Sequence, residues 1–205
     1  MYPPMNNTTH PELVLHLDPA LTSFLHPLFE RGVGFPATVN LPIGQFMARE
    51  LDLSVGDVET IQTIFLDSSP VDDIEASMVR DGAVLALSAA MPGLMGATMR
   101  RAGTYSSLRQ SISHHEDANS DANPEQGVIT LKLFNHMLPS FAPKFLARGV
   151  LVTGKHANKL FSPLPDSVAQ AAPKAEINGQ AVDLGHYELS LPEEKTVLLR
   201  VADPD

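Results

Sequence analysis

An α+β fold is predicted by three observations. Hydrophobic residues make up 43% of the 205-residue chain and charged residues 19%. That is enough apolar material for a packed core and too little charge for global disorder. Short β-branched runs with period-two alternation outnumber stripes of period 3.6. Turn signals such as Asp81-Gly82 and Asn178-Gly179 separate the runs.

The elements of the first ninety residues follow in order. Glu12–Asp18 sets Leu13, Leu15 and Leu17 on one face of a strand. A loop carrying Leu21, Phe24 and Leu25 leads to a second strand, Gly34–Leu41, and the two strands are expected to pair as a hairpin with a long connection. Ile43, Phe46, Met47 and Leu51 form one helical stripe, with Pro42 in the first turn. Gly56-Asp57 ends that unit. Thr60–Leu66 is a β-branched strand. Asp67–Pro70 and Arg80–Gly82 are turns, and the second opens the strand Val84–Ser88. The expected core is Leu13, Leu15, Leu17, Phe46, Met47, Ile64, Leu66 and Leu87.

The order strand, strand, helix, strand, turn, strand resembles a β-grasp, the ubiquitin-like fold, over residues 12–90. The phrase Ile64–Asp72, then Val79–Gly82 and an apolar strand, is similar to two groups. One is the small sulfur carriers of molybdopterin and thiamine synthesis. The other is the ubiquitin-like domain fused to prokaryotic PIN-type nucleases, which Phe24–Pro27 and the stretch Leu51–Val58 fit better. Ala83 replaces the acidic residue usual after Asp-Gly. The carriers end in Gly-Gly, whereas this chain runs on for more than a hundred residues past Pro92-Gly93. The resemblance therefore implies a β-grasp used for docking.

Charge is uneven. Residues 1–81 hold 12 acidic and 3 basic residues, whereas residues 82–115 hold Arg100, Arg101 and Arg109 and no carboxylate. Within that second stretch, 88–109 is rich in Gly, Ala and Met and then abruptly basic. Glycine permits close backbone approach, Met adapts to irregular surfaces, and Arg offers a planar fork for carboxylate or phosphate. Gly93, Gly96, Arg100, Arg101 and Arg109 are thus the candidate docking or anion-binding residues. The alternative is a loop packed inside the protein, its arginines paired with the acidic first part.

Residues 114–126 read as a polar loop; His114 and His115 are too close in sequence to be expected to converge on a metal. Val128–Phe134 fits a strand or the start of a helix. Ser140–Arg148 reads as a helix capped by Ser140, with Pro143 in its first turn and Gly149 at its end. Val150–Thr153 is a strand, a short helix lies around His156–Phe161, and Glu176–Val182 is a hairpin on Asn178-Gly179. Tyr187–Leu191 and Thr196–Val201 complete the strands.

Several chemistries are set aside. The chain has no Cys, which removes thiolate catalysis and Cys-ligated metals. A net charge of −10 argues against nucleic acid as a partner. Gly32-Val33-Gly34 is followed by Pro36 where a dinucleotide site needs a helix. No apolar run approaches the roughly 18 residues of a membrane span, and the opening lacks a secretion signal, so a cytoplasmic protein is expected. No cofactor or metal site is expected. The organisation read from the sequence is a flexible start (1–11), a β-grasp domain (12–90), a Gly/Met/Arg connector and polar loop (91–126), and a smaller α/β or β-rich part (127–205). The function expected is non-enzymatic docking or regulation, with a protein partner or a second copy of the chain. The alternatives are a relative of the sulfur-carrier system acting with an adenylating or cofactor-building enzyme, and a small enzyme with an Arg-lined anion site.

Overall fold

The computed structural model describes residues 10–89, 123–161, 164–171, 174–182 and 191–204, and the protein is a mixed α+β structure. Strand β1 (Glu12–His16) leads through a 3-10 turn (Pro19–Leu25) to α1 (His26–Arg31) and β2 (Val33–Val39). Next come β3 (Leu41–Pro42), α2 (Ile43–Arg49), α3 (Val55–Thr60), β4 (Thr63–Leu66), β5 (Ser69–Pro70), β6 (Met78–Val79) and β7 (Val84–Ser88). Then follow β8 (Glu125–Phe134), α4 (Met137–Arg148), β9 (Val150–Thr153), α5 (Gly154–Phe161), α6 (Asp166–Gln170), β10 (Lys174–Ile177), β11 (Gln180–Val182) and β12 (Thr196–Ala202). The chain divides into two compact units, one built on Pro36–Leu138 and one on Asn6–Phe35 with Pro139–Asp205.

In the Pro36–Leu138 unit the strands run in the order β2, β8, β7, β4, β5. β7 and β8 are parallel, with Leu85 opposite Leu131 and Leu87 opposite Leu133. β4 is antiparallel to both β7 and β5. Asp67 and Ser68 take positive φ of 49° and 72°, the geometry a two-residue hairpin turn requires. The Val84 N–H donates to Asp67 Oδ1 at 2.8 Å, tying that turn to β7. Ile43, Phe46 and Met47 of α2 share a core with Ile64, Leu66, Leu85, Leu87, Leu131 and Leu133, all at most 1% exposed.

Three expectations in this stretch change. Residues 12–90 hold three α-helices, α1, α2 and α3, where one stripe is legible. α1 forms because Pro27 suits a first turn and Leu28 and Phe29 are buried. α3 starts at Val55 and carries the Gly56-Asp57 pair, read as a stop, in its first turn, because Ser54 and Asp57 form a reciprocal capping box. Consequently β4 begins at Thr63, not Thr60. Val128–Phe134 is strand, and the strand starts earlier, at Glu125. Two residues of the expected polar loop are held there: Asn40 Nδ2 donates to Glu125 Oε1 at 3.1 Å, and Gln126 Nε2 donates to Thr38 Oγ1 at 3.1 Å.

In the other unit, β1 makes no hairpin with β2. It lies between β10, antiparallel, and β12, parallel. Leu13 pairs with Leu199 and Leu15 with Val201. All four are buried, so the alternation of β12 completes the same apolar face. β2 pairs instead with β9, at Gly34 and Leu151. The β10–β11 hairpin turns on Asn178 and Gly179, at φ 52° and 76°, as the sequence predicts. Asn178 also clamps β1, since the Glu12 N–H donates to its Oδ1 at 2.9 Å.

Phe145 of α4 centres an aromatic cluster, 5.5 Å from Phe35 edge-on and 6.2–6.5 Å from Phe141 and Phe29. The Arg148 guanidinium stands 4.7 Å over the Phe35 ring. α4 begins at Met137 rather than Ser140, which places Pro143 inside the helix; Asn135, at φ 54°, ends β8 and accepts the Leu138 N–H. α5 is anchored on a tight turn: its Gly154 N–H donates to the Lys195 carbonyl, and a Cβ at Gly154 would collide with the Pro192 carbonyl. α6 has no legible stripe in the sequence; it is fixed by the buried Val168. Residues 187–190 of the expected Tyr187–Leu191 strand lie outside the described residues.

Candidate functional site

Gly93, Gly96, Arg100, Arg101 and Arg109 all lie outside the described residues, as do His114 and His115. The described residues offer two surfaces of chemical interest, one in each unit.

The Pro36–Leu138 unit is acidic. Residues 36–89 hold 9 carboxylates and 2 arginines, and Asp52, Glu59, Asp67, Asp72, Asp73, Glu75 and Asp81 are exposed. Some of these also shape the backbone. Asp73 Oδ1 accepts the Glu75 and Ala76 N–H groups, and Asp81 Oδ1 accepts the Val128 N–H at 2.8 Å. Glu75 lies over Gly44 at the start of α2, where a side chain at Gly44 would meet its carboxylate; a negative charge is favoured beside a helix N-terminus. α3 buries none of its residues, and its Val55 is 79% exposed. Among the described residues the surface thus combines dense negative charge with one exposed large aliphatic side chain, Val55.

In the other unit, alternation on β1 sends Glu12, Val14 and His16 to the face opposite the leucines. Arg200 Nη2 pairs with Glu12 Oε1 at 3.3 Å, and His16 Nε2 stands 3.6 Å from Glu176 Oε1. Pairs this open to solvent contribute about 0–1 kcal/mol each. Among the described residues His16 Nδ1 and Arg200 Nε are buried with no hydrogen-bond partner. Arg200 also lines a cavity of about 300 Å3, together with Asp203 and apolar residues of the 3-10 turn and α4. On α5, His156 Nδ1 lies 3.1 Å from Thr153 Oγ1. Burial, and then the positive charges of Arg31, Lys155 and Lys159, hold His156 below the ordinary histidine value. Burial likewise lowers His26, opposed by Glu30.

The outward position of Arg200 is readable from the alternation of Thr196–Val201. Its pairing with Glu12 carries no local signal, because the two residues lie at opposite ends of the chain. Among the described residues no three His, Asp or Glu side chains gather as a metal site needs, and no helix is long and apolar enough to cross a membrane. No protein family model, curated protein or solved structure matches the chain.

Proposed function

We propose that the chain is a docking protein whose acidic Pro36–Leu138 unit is a β-grasp that binds a basic surface on a protein partner. The strand order of that unit is the observation that carries the reading. A β-grasp sets its first and last strands side by side and parallel, flanked by antiparallel strands, with a helix between the second and third. Here β7 and β8 are the parallel pair, β4 and β5 flank one side, β2 lies on the other, and α2 falls between β2 and β4 in the chain. This supports a β-grasp in which β8 supplies the first strand although it comes last in sequence. Glu12–His16 is then not part of it. Docking is a use of the fold, not a consequence of it; the exposed carboxylates are what favour a basic partner.

The test compares the full chain with a Glu59→Lys, Asp72→Lys double variant in pull-downs from native cells. A stoichiometric partner retained at low salt, released at high salt and lost by the variant supports the reading, because exposed charges are screened. Retention unchanged by salt and by charge reversal overturns it. Intact-mass measurement adds a separate check: a native product cleaved after Gly93 points to carrier chemistry instead.

A further inference from the structure

We propose that the cavity in the Asn6–Phe35 and Pro139–Asp205 unit binds a small aliphatic zwitterion of the free α-amino acid class. Arg200 would receive its carboxylate and Asp203 its ammonium. This assignment is independent of the docking reading, which concerns the other unit.

Three observations combine. The first is size. At about 300 Å3 the cavity is at the lower end of ligand pockets and suits a molecule of amino-acid dimensions. The second is its lining. Pro19, Pro143, Ala147 and Val201 supply apolar walls that favour an aliphatic side chain, whereas Arg200 and Asp203 supply opposite charges.

The third is the charge balance. Among the described residues Arg200 pairs with Glu12 through Nη2, so its Nη1 donors remain for a ligand, whereas its Nε is buried out of a ligand's reach. Counting Arg200, Glu12 and Asp203, the site carries one net negative charge. A simple anion is therefore disfavoured at the same cavity where a neutral zwitterion satisfies both ends. Arg200 offers a planar fork for the carboxylate. Asp203, exposed at the mouth, takes the ammonium.

Calorimetric titration of the full chain with L-leucine, isovalerate and isoamylamine tests the assignment. L-leucine is expected to bind saturably. Isovalerate lacks the ammonium and isoamylamine the carboxylate, and each is expected to bind about tenfold more weakly or worse, as for loss of one charge-assisted hydrogen bond. Asp203→Asn should lower the leucine affinity by about the same factor and should not weaken isovalerate, whose repulsion by the carboxylate it removes. Ala147→Phe fills the cavity and should abolish binding. Ala147 and Asp203 are both exposed, so the fold is expected to survive; if Ala147→Phe unfolds, Asp203→Asn remains decisive. No saturable binding of L-leucine, equal affinity for leucine and isovalerate, or leucine binding untouched by Asp203→Asn each overturns the proposal.

Discussion

The two units differ in how far apart in the chain their partners lie. In the Pro36–Leu138 unit, β4 pairs with β5 across a two-residue turn and with β7 about twenty residues on, and the gaps from β3 to β6 and from β7 to β8, though longer, stay far shorter than the length of the chain. In the other unit, β1 is paired with β10 and β12, and the Asn178 side chain that clamps Glu12 is 166 residues away. Local pairing is signalled by turn chemistry, which a sequence displays. Distant pairing is chosen by complementary faces, which become visible only when the strands meet. Such long-range pairing also carries a larger loop-closure entropy cost.

Core truncation should separate the units most sharply. Phe46 and Phe145 are both fully buried, one in each unit. Replacing either by Ala is expected to cost about 3–5 kcal/mol. Hydrogen exchange should accelerate in β4, β7 and β8 for Phe46→Ala, and in β1, β9 and β12 for Phe145→Ala. Equal acceleration in all six strands for both variants breaks the comparison.

Gly154→Val tests the distant turn that anchors α5. Its Cβ would press on the backbone carbonyl of Pro192, which cannot rotate away as a side chain tip does. A loss of about 1–3 kcal/mol in urea unfolding is expected. A stability equal to wild type means that the turn yields freely and that distant contacts matter less than argued. Asn178→Ala removes both the residue suited to φ 52° and the acceptor for Glu12, so about 1–2 kcal/mol is expected. The hairpin turn should weaken together with β1, visible as faster exchange at Glu12–His16.

The smallest effect concerns pH. His156 is held below its ordinary value of 6.5 by burial and by Arg31, Lys155 and Lys159. The unfolded chain therefore binds a proton at a higher pH than the folded one. Stability contributed by neutral His156 is present above about pH 6.5 and is lost as pH falls from there through the lowered folded value. His156→Asn should flatten that part of the pH–stability curve while leaving the region above neutrality unchanged. A curve that stays as steep as wild type assigns the acid sensitivity to other groups.

Turn chemistry and alternation were legible at particular residues. Asn178-Gly179, Asp67–Pro70 and Arg80–Gly82 are turns where the sequence places them, and Phe46, Met47, Ile64 and Leu87 are buried as read, whereas Leu13, Leu15 and Leu17, expected in the same core, are buried in the other unit. Ser54 and Asp57 carried a capping signal that Gly56 masked, because glycine lowers helix propensity without forbidding a capped first turn. The candidate arginines 100, 101 and 109 were legible only as composition.

By itself the sequence determined the α+β class, the short turns and which face of each strand is apolar, because these depend on neighbours within a few residues. The tertiary structure decided that β1 joins β12 and β10 instead of β2, and that β8 joins β7 in parallel. It also brought Glu12 to Arg200 and placed Arg200 and Asp203 at one cavity. Many strands of this chain offer a similar alternating face. Which two faces meet is settled only by the joint burial of all of them, a property no single segment contains.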